Sequence, residues 1–417
     1  MSAPRVEAQE RAVPLAGSEL CVHCGFCLQA CPTYLALDDE NDSPRGRIVL
    51  MKGLADGTLP LGDPDAQLHL DRCLGCRACE TACPSGVPYG RLLEATRERL
   101  SSRRALPLVA RAILFTVARP ALMALAMWGA RVLRASRIPA LLSRVPARLG
   151  FAMAMLDSTR RPRARRRAAQ GDGARSRVAV LRGCVMEGLF AEANRATERT
   201  LVVNGYRLVA APDQRCCGAL HAHAGDACTA RELARANIEA FERCGAEFVA
   251  VNSAGCGAAM KEYGHLLRDD PDWRDRAAAF GAQVRDVSEL LAAAGPRRGG
   301  RLAVRVAYDA PCHLLHGQGV GRQPLAVLAA IPGLELVPLT DHDQCCGSAG
   351  IYNLVEPDVS DRVLVPKLAN IAATRAAVVA TGNPGCLMQI GAGVARTGGT
   401  ARLRHPVELL DASYDAR

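Results

Sequence analysis

The chain has 417 residues, 49% hydrophobic and 4% aromatic, which is typical of a globular protein with about three domains. Eighteen cysteines would indicate disulfides in a short secreted protein, but in a long chain whose thiols occur in clusters they indicate a reducing compartment. The opening residues, MSAPRVEAQERAVPL, contain no apolar run of the signal-peptide type, so a cytoplasmic protein is expected. The formal net charge is +10, and much of the excess falls between residues 97 and 177.

Two cysteine runs share one spacing. Residues 21–32 read CVHCGFCLQACP and residues 73–84 read CLGCRACETACP, so both follow C-x2-C-x2-C-x3-C-P. This is the run of bacterial two-cluster ferredoxins, in which three cysteines of each run bind one [4Fe–4S] cluster and the fourth crosses to the other cluster. The spacing predicts two such clusters and does not fit a pair of zinc sites. The predicted ligands are Cys21, Cys24, Cys27 and Cys83 for cluster 1, and Cys73, Cys76, Cys79 and Cys31 for cluster 2.

The segments around these runs predict helices. Ser43 followed by Pro44 indicates a helix start between the runs. Arg45 and Arg47 in its first turn are expected to face the anionic clusters or an acidic partner, or to lie at a solvated helix end. After the second run, YGRLLEATRERL predicts an amphipathic helix that ends near residue 100. Residues 1–100 are therefore expected to form an α-helical, ferredoxin-type two-cluster domain.

Residues 101–176 are apolar and basic, with nine arginines between positions 103 and 148. The longest charge-free run, residues 120–130, is shorter than the ~20 apolar residues that a membrane-spanning helix needs. Short amphipathic helices lying on anionic lipid or on a partner subunit are expected, and a helical linker packed on its own protein is the alternative. The run RRPRARRR at 160–167 is interpreted as a solvated linker, because no aromatic residues or recognition motif accompany it; no nucleic-acid partner is predicted.

From residue 177 onwards, short apolar runs alternate with helical patterns. VAVLRGC, RLVAAPDQRCCG and EFVAVNSAGCG each end on cysteines, which predicts parallel strands with ligands at their carboxyl ends. The unit repeats in LAVRVAYDAPC, LELVPLTDHDQCCG and AAVVATGNPGC, with matching cysteines offset by 128 (184 to 312), 129 (216 to 345) and 130 (256 to 386). VRDVSELL and LRHPVELL end the two halves alike, and residues 295–301 are the expected linker.

The predicted fold is therefore an α+β multidomain protein. It comprises the two-cluster domain (1–100), a basic apolar helical linker (101–176) and two repeated α/β cysteine-rich domains (177–296 and 297–417), which are expected to face each other across a pseudo-twofold axis.

Each half brings four thiols to its strand ends. Adjacent cysteines are poorly placed for one tetrahedral zinc, but they can bind different irons of a cluster or form a vicinal disulfide. Because thiolates are soft ligands, iron–sulfur or zinc is favoured over hard cations. A redox cluster or redox thiols, structural zinc and inert buried thiols all remain open. The residues of this possible additional redox or metal site are Cys184, Cys216, Cys217, Cys256, Cys312, Cys345, Cys346 and Cys386.

Smaller features carry less weight. The glycine-rich GQGVG (317–321) and GAGVARTGG (391–399) do not follow a strand as a dinucleotide fingerprint would, so both are interpreted as turns. Cys228 and Cys244 fit neither repeat and are expected to be core thiols. No catalytic residue is predicted, and the sequence shows no flavin or nicotinamide fingerprint. Five histidines near the paired cysteines are candidate proton donors or supporting groups: His221, His223, His313, His316 and His342.

Several phrases resemble a known family: SPRGRIVLMK, LDRCLGCRACETACPSGVPYG, RCCGALHAHAGD, QCCGSAGIYN and TGNPGCLMQI. They resemble the iron–sulfur subunits of membrane-linked 2-hydroxyacid oxidases, most closely those of glycolate oxidase, over nearly the whole chain. The resemblance implies an electron-transfer subunit that works with flavin-containing glycolate oxidase subunits, which convert glycolate to glyoxylate, and that passes electrons towards the quinone pool. It also implies peripheral attachment to the inner membrane, and no substrate oxidation by the isolated chain.

The cysteine-rich (CCG) domains also resemble the catalytic subunit of heterodisulfide reductase. There the pattern ends in C-x-x-C, whereas Ala259 and Gln389 take the last position here, so each half lacks one ligand. This departure favours the electron relay over a self-contained reductase acting on a disulfide or quinone. The equivalent subunits of lactate or anaerobic glycerol-3-phosphate dehydrogenase share these parts and remain alternatives.

Overall fold

The computed structural model describes residues 15–101, 106–146, 148–159 and 173–416. The basic run at 160–167 and the opening residues 1–14 lie outside these ranges, as do Arg103 and Arg104.

The N-terminal region is helical and surrounds the two cysteine runs. One helix begins where the sequence predicts, because the Ser43 hydroxyl accepts a hydrogen bond from the backbone N–H of Gly46 and Pro44 occupies the first turn. Apolar side chains such as Met51 and Leu92 form one core with several of the cysteines. The helices are α1 (Pro32–Leu37), α2 (Pro44–Asp56), α3 (Pro64–Asp71), α4 (Ala78–Thr81) and α5 (Tyr89–Ser101), with single 3₁₀ turns at Ser18–Leu20 and Glu40–Asp42.

The basic apolar segment forms four helices: α6 (Leu108–Val117), α7 (Pro120–Ala135), α8 (Ile138–Leu142) and α9 (Arg148–Ser158). In the described part of the chain, no single helix is long and apolar enough to cross a membrane; α6 and α7 reach that length only together, and they are bent by 111°. One face of the segment packs on the protein, since Arg131 and Arg134 donate hydrogen bonds to the backbone carbonyls of Gly188 and Leu189. The packed-linker alternative therefore holds for that face.

Each cysteine-rich half contains a four-stranded parallel sheet with helices between the strands. The first sheet has the order β2-β1-β3-β4 and the second β6-β5-β7-β8. The strands are β1 (Arg177–Val180), β2 (Arg207–Val209), β3 (Phe248–Val251), β4 (Val284–Asp286), β5 (Val304–Tyr308), β6 (Leu334–Val337), β7 (Val378–Ala380) and β8 (Arg402–Arg404). The sequence patterns predict three strands per half. The fourth strand, β4 or β8, reads VRD or RLR and so lacks the apolar run that marks the other strands.

The register pairs Val178 of β1 with Phe248 of β3, and Val306 of β5 with Val378 of β7. Both sheets contribute to one shared core, in which Val178 and Val306 are fully buried. The two halves therefore pack against each other through apolar side chains.

The helices of the two halves lie between and after the strands. In the first half they are α10 (Val185–Leu189), α11 (Ala191–Val203), α12 (Ala219–Ala224), α13 (Ala227–Cys244), α14 (Ala254–Lys261), α15 (Tyr263–Leu266), α16 (Arg274–Gln283) and α17 (Val287–Ala294). In the second half they are α18 (Cys312–Gln318), α19 (Arg322–Ala329), α20 (Tyr352–Val355), α21 (Pro357–Thr374), α22 (Pro384–Arg396) and α23 (Pro406–Asp415).

Two interpretations of the sequence are wrong. Residues 391–396 are not a turn but part of α22, where small residues are needed for close packing: a Cβ added to Gly391 would lie 2.8 Å from the Cβ of Ser158 on α9. The turn interpretation does hold at Gly319, which ends α18 with a φ of 69°. Cys228 is not a core thiol, because it is exposed in the first turn of α13, whereas Cys244 is half-buried.

Candidate metal centres

The thiols predicted for cluster 1 line one cavity. Cys21, Cys24 and Cys27 of the first run and Cys83 of the second surround it, together with Cys79 of the second run. The loop turns tightly because Gly25 has a φ of 86°, in the left-handed region that favours glycine. Burial raises the pKa of the Cys27 thiol to about 11, so that thiol stays protonated unless a metal replaces the proton.

The thiols predicted for cluster 2 line a second cavity. Cys73, Cys76 and Cys79 come from the second run and Cys31 from the first, and all four are buried. Burial, with the charges of the neighbouring thiols, raises the pKa values of Cys76 and Cys79 well above the usual value. Soft sulfur donors surround each cavity, as the cysteine ligation of a [4Fe–4S] cluster requires, and Cys79 lines both cavities. The assignment of each thiol to one cluster stays a prediction.

Two residues beside cluster 2 have roles that the sequence does not reveal. Arg47 is fully buried with a guanidinium nitrogen 4.0 Å from Cys31 Sγ, and the Tyr89 hydroxyl donates to Cys73 Sγ at 3.5 Å. The solvated-end interpretation is therefore wrong for Arg47. Arg45 pairs with Glu40 near the surface and also lines the cavity predicted for cluster 1, so it faces that site. Residue type alone gave no signal, because both arginines lie in the first turn of α2.

The eight cysteines of the two halves line a single cavity, which Cys73 of the second run also lines. In the second half, Cys312 Sγ lies 3.9 Å from Cys345 Sγ, and Cys346 Sγ lies 3.2 Å from Cys386 Sγ. The first half repeats the arrangement, with Cys184 hydrogen-bonded to Cys216 and Cys217 to Cys256. All eighteen cysteines of the chain are free thiols, so neither adjacent pair forms a vicinal disulfide here.

One thiol in each half is favoured as a thiolate. Hydrogen bonds from Cys184 and Cys217 hold the pKa of Cys216 well below its usual value, and hydrogen bonds from Cys312 and Cys346 do the same for Cys345. The backbone N–H of Gly347 also donates to Cys345 Sγ, at 3.4 Å. A stabilised thiolate is suited to bind a soft metal or to take part in redox chemistry.

Cluster 2 lies next to the second half. Cys76 and Cys345 belong to one apolar cluster that also contains Leu74 and Tyr352, and the Tyr352 hydroxyl donates to the backbone carbonyl of Arg72 at 2.8 Å. The two-cluster region also contacts the first half, where Arg97 donates to the carbonyl of His223 at 3.0 Å. The structure thus brings one predicted cluster close to the paired cysteines.

The candidate histidines have different surroundings. His223 and His313 line the eight-cysteine cavity with ring centroids 5.3 Å apart, and burial lowers the pKa of His313 to about 3, so its ring is neutral. His221 Nδ1 lies 2.8 Å from a carboxylate oxygen of Asp226. His316 Nδ1 lies 2.9 Å from the Thr81 hydroxyl, and the His342 carbonyl accepts from the N–H of Ala310. Their role as proton donors stays a prediction.

Gln389 occupies the position where the reductase pattern has another cysteine. It is fully buried, accepts a hydrogen bond from Asn353 and donates one to Ser360, both at 2.8 Å. In the first half, Ala259 packs against the core. Both positions are therefore filled by side chains engaged in the protein's own packing.

Comparisons with known proteins agree with this architecture. The family model described as a 4Fe-4S dicluster domain matches residues 17–87, and the model described as a cysteine-rich domain matches residues 178–261 and 306–391. The chain is thus an iron–sulfur protein with one dicluster domain and two cysteine-rich domains.

Individual relatives narrow the class. The chain is 39% identical to the probable glycolate oxidase iron-sulfur subunit of Bacillus subtilis, over 94% of this chain and 92% of that protein. It is 34% identical to the glycolate oxidase iron-sulfur subunit of Escherichia coli, over 95% and 94%. The lactate utilization protein A of an Exiguobacterium species is 30% identical, over 56% of this chain and 96% of that protein. The chain belongs to the family of glycolate oxidase iron–sulfur subunits, and the resemblance predicted from its sequence is confirmed.

Proposed function

We propose that this chain is the iron–sulfur electron-transfer subunit of a glycolate oxidase, taking electrons from a flavoprotein subunit that oxidises glycolate to glyoxylate and passing them towards the quinone pool. The observation that carries the proposal is the relationship to glycolate oxidase iron–sulfur subunits over nearly the whole chain. The alignment with a lactate-utilization protein, by contrast, spans 56% of the chain.

The partner follows from electron counting. Oxidation of a hydroxyacid releases two electrons, whereas bound [4Fe–4S] clusters would carry one electron each. A flavin accepts a pair and releases electrons singly, so a flavin-containing subunit is the partner that this chemistry requires. This chain supplies the thiols that hold the one-electron carriers.

We assign cluster 1 to Cys21, Cys24, Cys27 and Cys83, and cluster 2 to Cys73, Cys76, Cys79 and Cys31. The two cavities that these thiols line support the assignment. The eight-cysteine cavity is proposed as a further cluster or metal site, supported by its soft donors and by the stabilised thiolates at Cys216 and Cys345.

The chain is further proposed to attach peripherally to the inner membrane through the outward face of α7. Met123 and Met127 face the protein, but a second apolar stripe of Leu125, Trp128 and Val132 points outward, with 63%, 61% and 50% of their surfaces exposed. A helix that is apolar on both faces is normally covered on both.

The positive charge around this outward stripe indicates which kind of surface covers it. Between Glu98 and Asp157 the sequence has ten arginines and no acidic residue. Apolar side chains flanked by arginines favour the surface of an anionic bilayer, where the stripe enters the headgroup region and the guanidinium groups meet lipid phosphates.

The relay is tested with the full chain purified anaerobically with its clusters. Glycolate-dependent reduction of a dye or quinone is measured with and without the co-expressed flavoprotein subunits. Activity is expected only when these subunits are present. The Cys83→Ser variant, which should lack cluster 1, is the matched control and should be inactive even with them. Glycolate turnover by the isolated chain would refute the relay and favour a self-contained enzyme.

Membrane attachment is tested separately with phosphatidylglycerol and phosphatidylcholine vesicles. The chain has two tryptophans, so Trp273→Phe leaves Trp128 as the only indole reporter. A blue shift of its fluorescence and co-sedimentation are expected with the anionic vesicles, both lost in Leu125→Ser/Val132→Ser. Val365→Ser, which alters an equally exposed apolar residue (63%) of the second half, is the control. If the chain with an intact stripe does not bind vesicles and the double variant no longer binds the flavoprotein, the stripe is a subunit interface instead.

A further inference from the structure

Helix α2 carries a cation into the interior beside cluster 2. Arg47 and Asp42 both have an exposed fraction of 0%, and Arg47 Nη2 lies 2.9 Å from Asp42 Oδ1. The same guanidinium donates through Nε to the backbone carbonyl of His69 at 2.7 Å and through Nη1 to the Thr33 hydroxyl at 2.9 Å. Its position is therefore fixed by three directed hydrogen bonds, with Nη1 4.0 Å from Cys31 Sγ.

Positive charge exceeds negative charge at this point. The other oxygen of Asp42, Oδ2, lies 3.1 Å from Arg72 Nη1, so two guanidinium groups share one carboxylate. Arg47 is the fully buried member of this group and lies beside Cys31 Sγ, where solvent and salt screen its charge little. A second donor, the Tyr89 hydroxyl, reaches Cys73 Sγ at 3.5 Å.

We propose that Arg47 raises the reduction potential of cluster 2, acting as a positioning residue through the ligand Cys31. One-electron reduction adds a negative charge to a cluster, and a fixed buried cation next to a ligand sulfur stabilises the reduced form more than the oxidised form. The inference rests on the cluster 2 ligand assignment made under the proposed function. It adds that the two clusters, although bound by identical cysteine patterns, are tuned separately.

The alternative is a purely structural Arg47 that ties α2 to the chain near His69. A structural role predicts altered stability or cluster content, but not a shifted potential in chains that keep both clusters. The reduction potential is therefore the deciding readout.

The test is a redox titration of the full chain monitored by EPR, in which the signals are assigned by comparison with Cys83→Ser. Arg47→Gln is expected to lower the equilibrium constant for reduction of cluster 2 at least tenfold. For a one-electron couple this lowers the midpoint potential by about 59 mV. Asp42→Asn should raise it, and Arg47→Gln/Asp42→Asn, which removes one charge of each sign, should return it towards the native value. Tyr89→Phe should lower it by a smaller amount, and cluster 1 should not move in Arg47→Gln or Asp42→Asn.

Arg45→Gln is the matched control, since it removes the same charge from the same helix but at a position near the surface. It should leave cluster 2 unchanged. If the cluster 1 midpoint shifts in Arg47→Gln instead, the ligand assignment is wrong; if both clusters form and neither midpoint moves, the tuning role is overturned. Should Arg47→Gln fail to assemble cluster 2, an unchanged midpoint in both Asp42→Asn and Tyr89→Phe would equally overturn it.

Discussion

The two cysteine runs have the same spacing but opposite surroundings. In the cluster 1 set Cys24 is exposed, and the loop that carries it presents Val22 and Phe26 with 69% and 68% of their surfaces accessible. In the cluster 2 set all four thiols are buried, and Cys76 shares an apolar cluster with Cys345 of the second half. One ligand pattern thus serves two different positions. The first suits exchange of electrons with a partner protein, and the second suits exchange within the chain.

The comparison depends first on the crossed fourth ligands, where the largest effect is expected. Cys83→Ser should abolish the cluster 1 EPR signal and remove about four of the eight irons of the two clusters, because Cys83 lines the cavity of the first run. Cys31→Ser should abolish the cluster 2 signal instead. Iron and sulfide analysis with low-temperature EPR checks both, and Cys228→Ser, which removes an exposed thiol outside the runs, is the control. Damage to the cluster of Cys73, Cys76 and Cys79 in Cys83→Ser would show that the ligands do not cross.

Sequence spacing predicted which thiols lie together because ligand geometry is local. Each run supplies three sulfurs within seven residues, and the α/β repeat places the other cysteines after strands. The start of α2 was equally predictable, since Ser43 and Pro44 act within one turn.

Features that depend on distant partners were not predictable from these local patterns. Arg47 is buried because the carbonyl of His69, 22 positions away, and the carboxylate of Asp42 accept its hydrogen bonds. The same limitation applies to Gly391, whose role becomes visible only when Ser158 of α9 packs against it. The single cavity shared by eight cysteines likewise depends on how the two halves pack, which neither half encodes alone.

The difference in burial should appear in the rate of cluster loss. When the anaerobic protein is exposed to ferricyanide and an iron chelator, cluster 1 is expected to disappear about tenfold faster than cluster 2, because reagents reach Cys24 directly while the cluster 2 thiols require local opening. Time-resolved EPR of both signals measures the two rates. Equal rates, or faster loss of cluster 2, would show that the buried cavity opens as readily as the exposed loop. The proposed difference in access to the two clusters would then be wrong.

A smaller effect is expected at the rim of cluster 1. Phe26→Ser should slow reduction by the glycolate-reduced flavoprotein about fivefold, through loss of about 1 kcal/mol of binding free energy, with both clusters intact. Stopped-flow reduction at several flavoprotein concentrations separates binding from transfer, and the defect is expected at low concentrations. Val365→Ser, with a similarly exposed side chain on α21, is the control. An unchanged rate in Phe26→Ser would place the flavoprotein elsewhere on the chain.

The smallest effect is expected at Arg45, two positions before Arg47 on α2. Its ion pair with Glu40 lies in solvent-accessible surroundings, where water and salt screen the attraction and the two flexible side chains lose entropy on pairing. Arg45→Gln should therefore leave thermal unfolding of the cluster-loaded chain unchanged.

Arg47→Gln leaves Asp42 buried with one guanidinium partner fewer and should destabilise the fold by about 3 kcal/mol. Calorimetry of both variants at low and high salt makes the comparison, and the loss in Arg47→Gln should persist at high salt because salt screens a buried pair little. Equal destabilisation by the two substitutions would mean that the two arginines are equally exposed in solution. The difference in burial between the two cluster sites would then be contradicted as well.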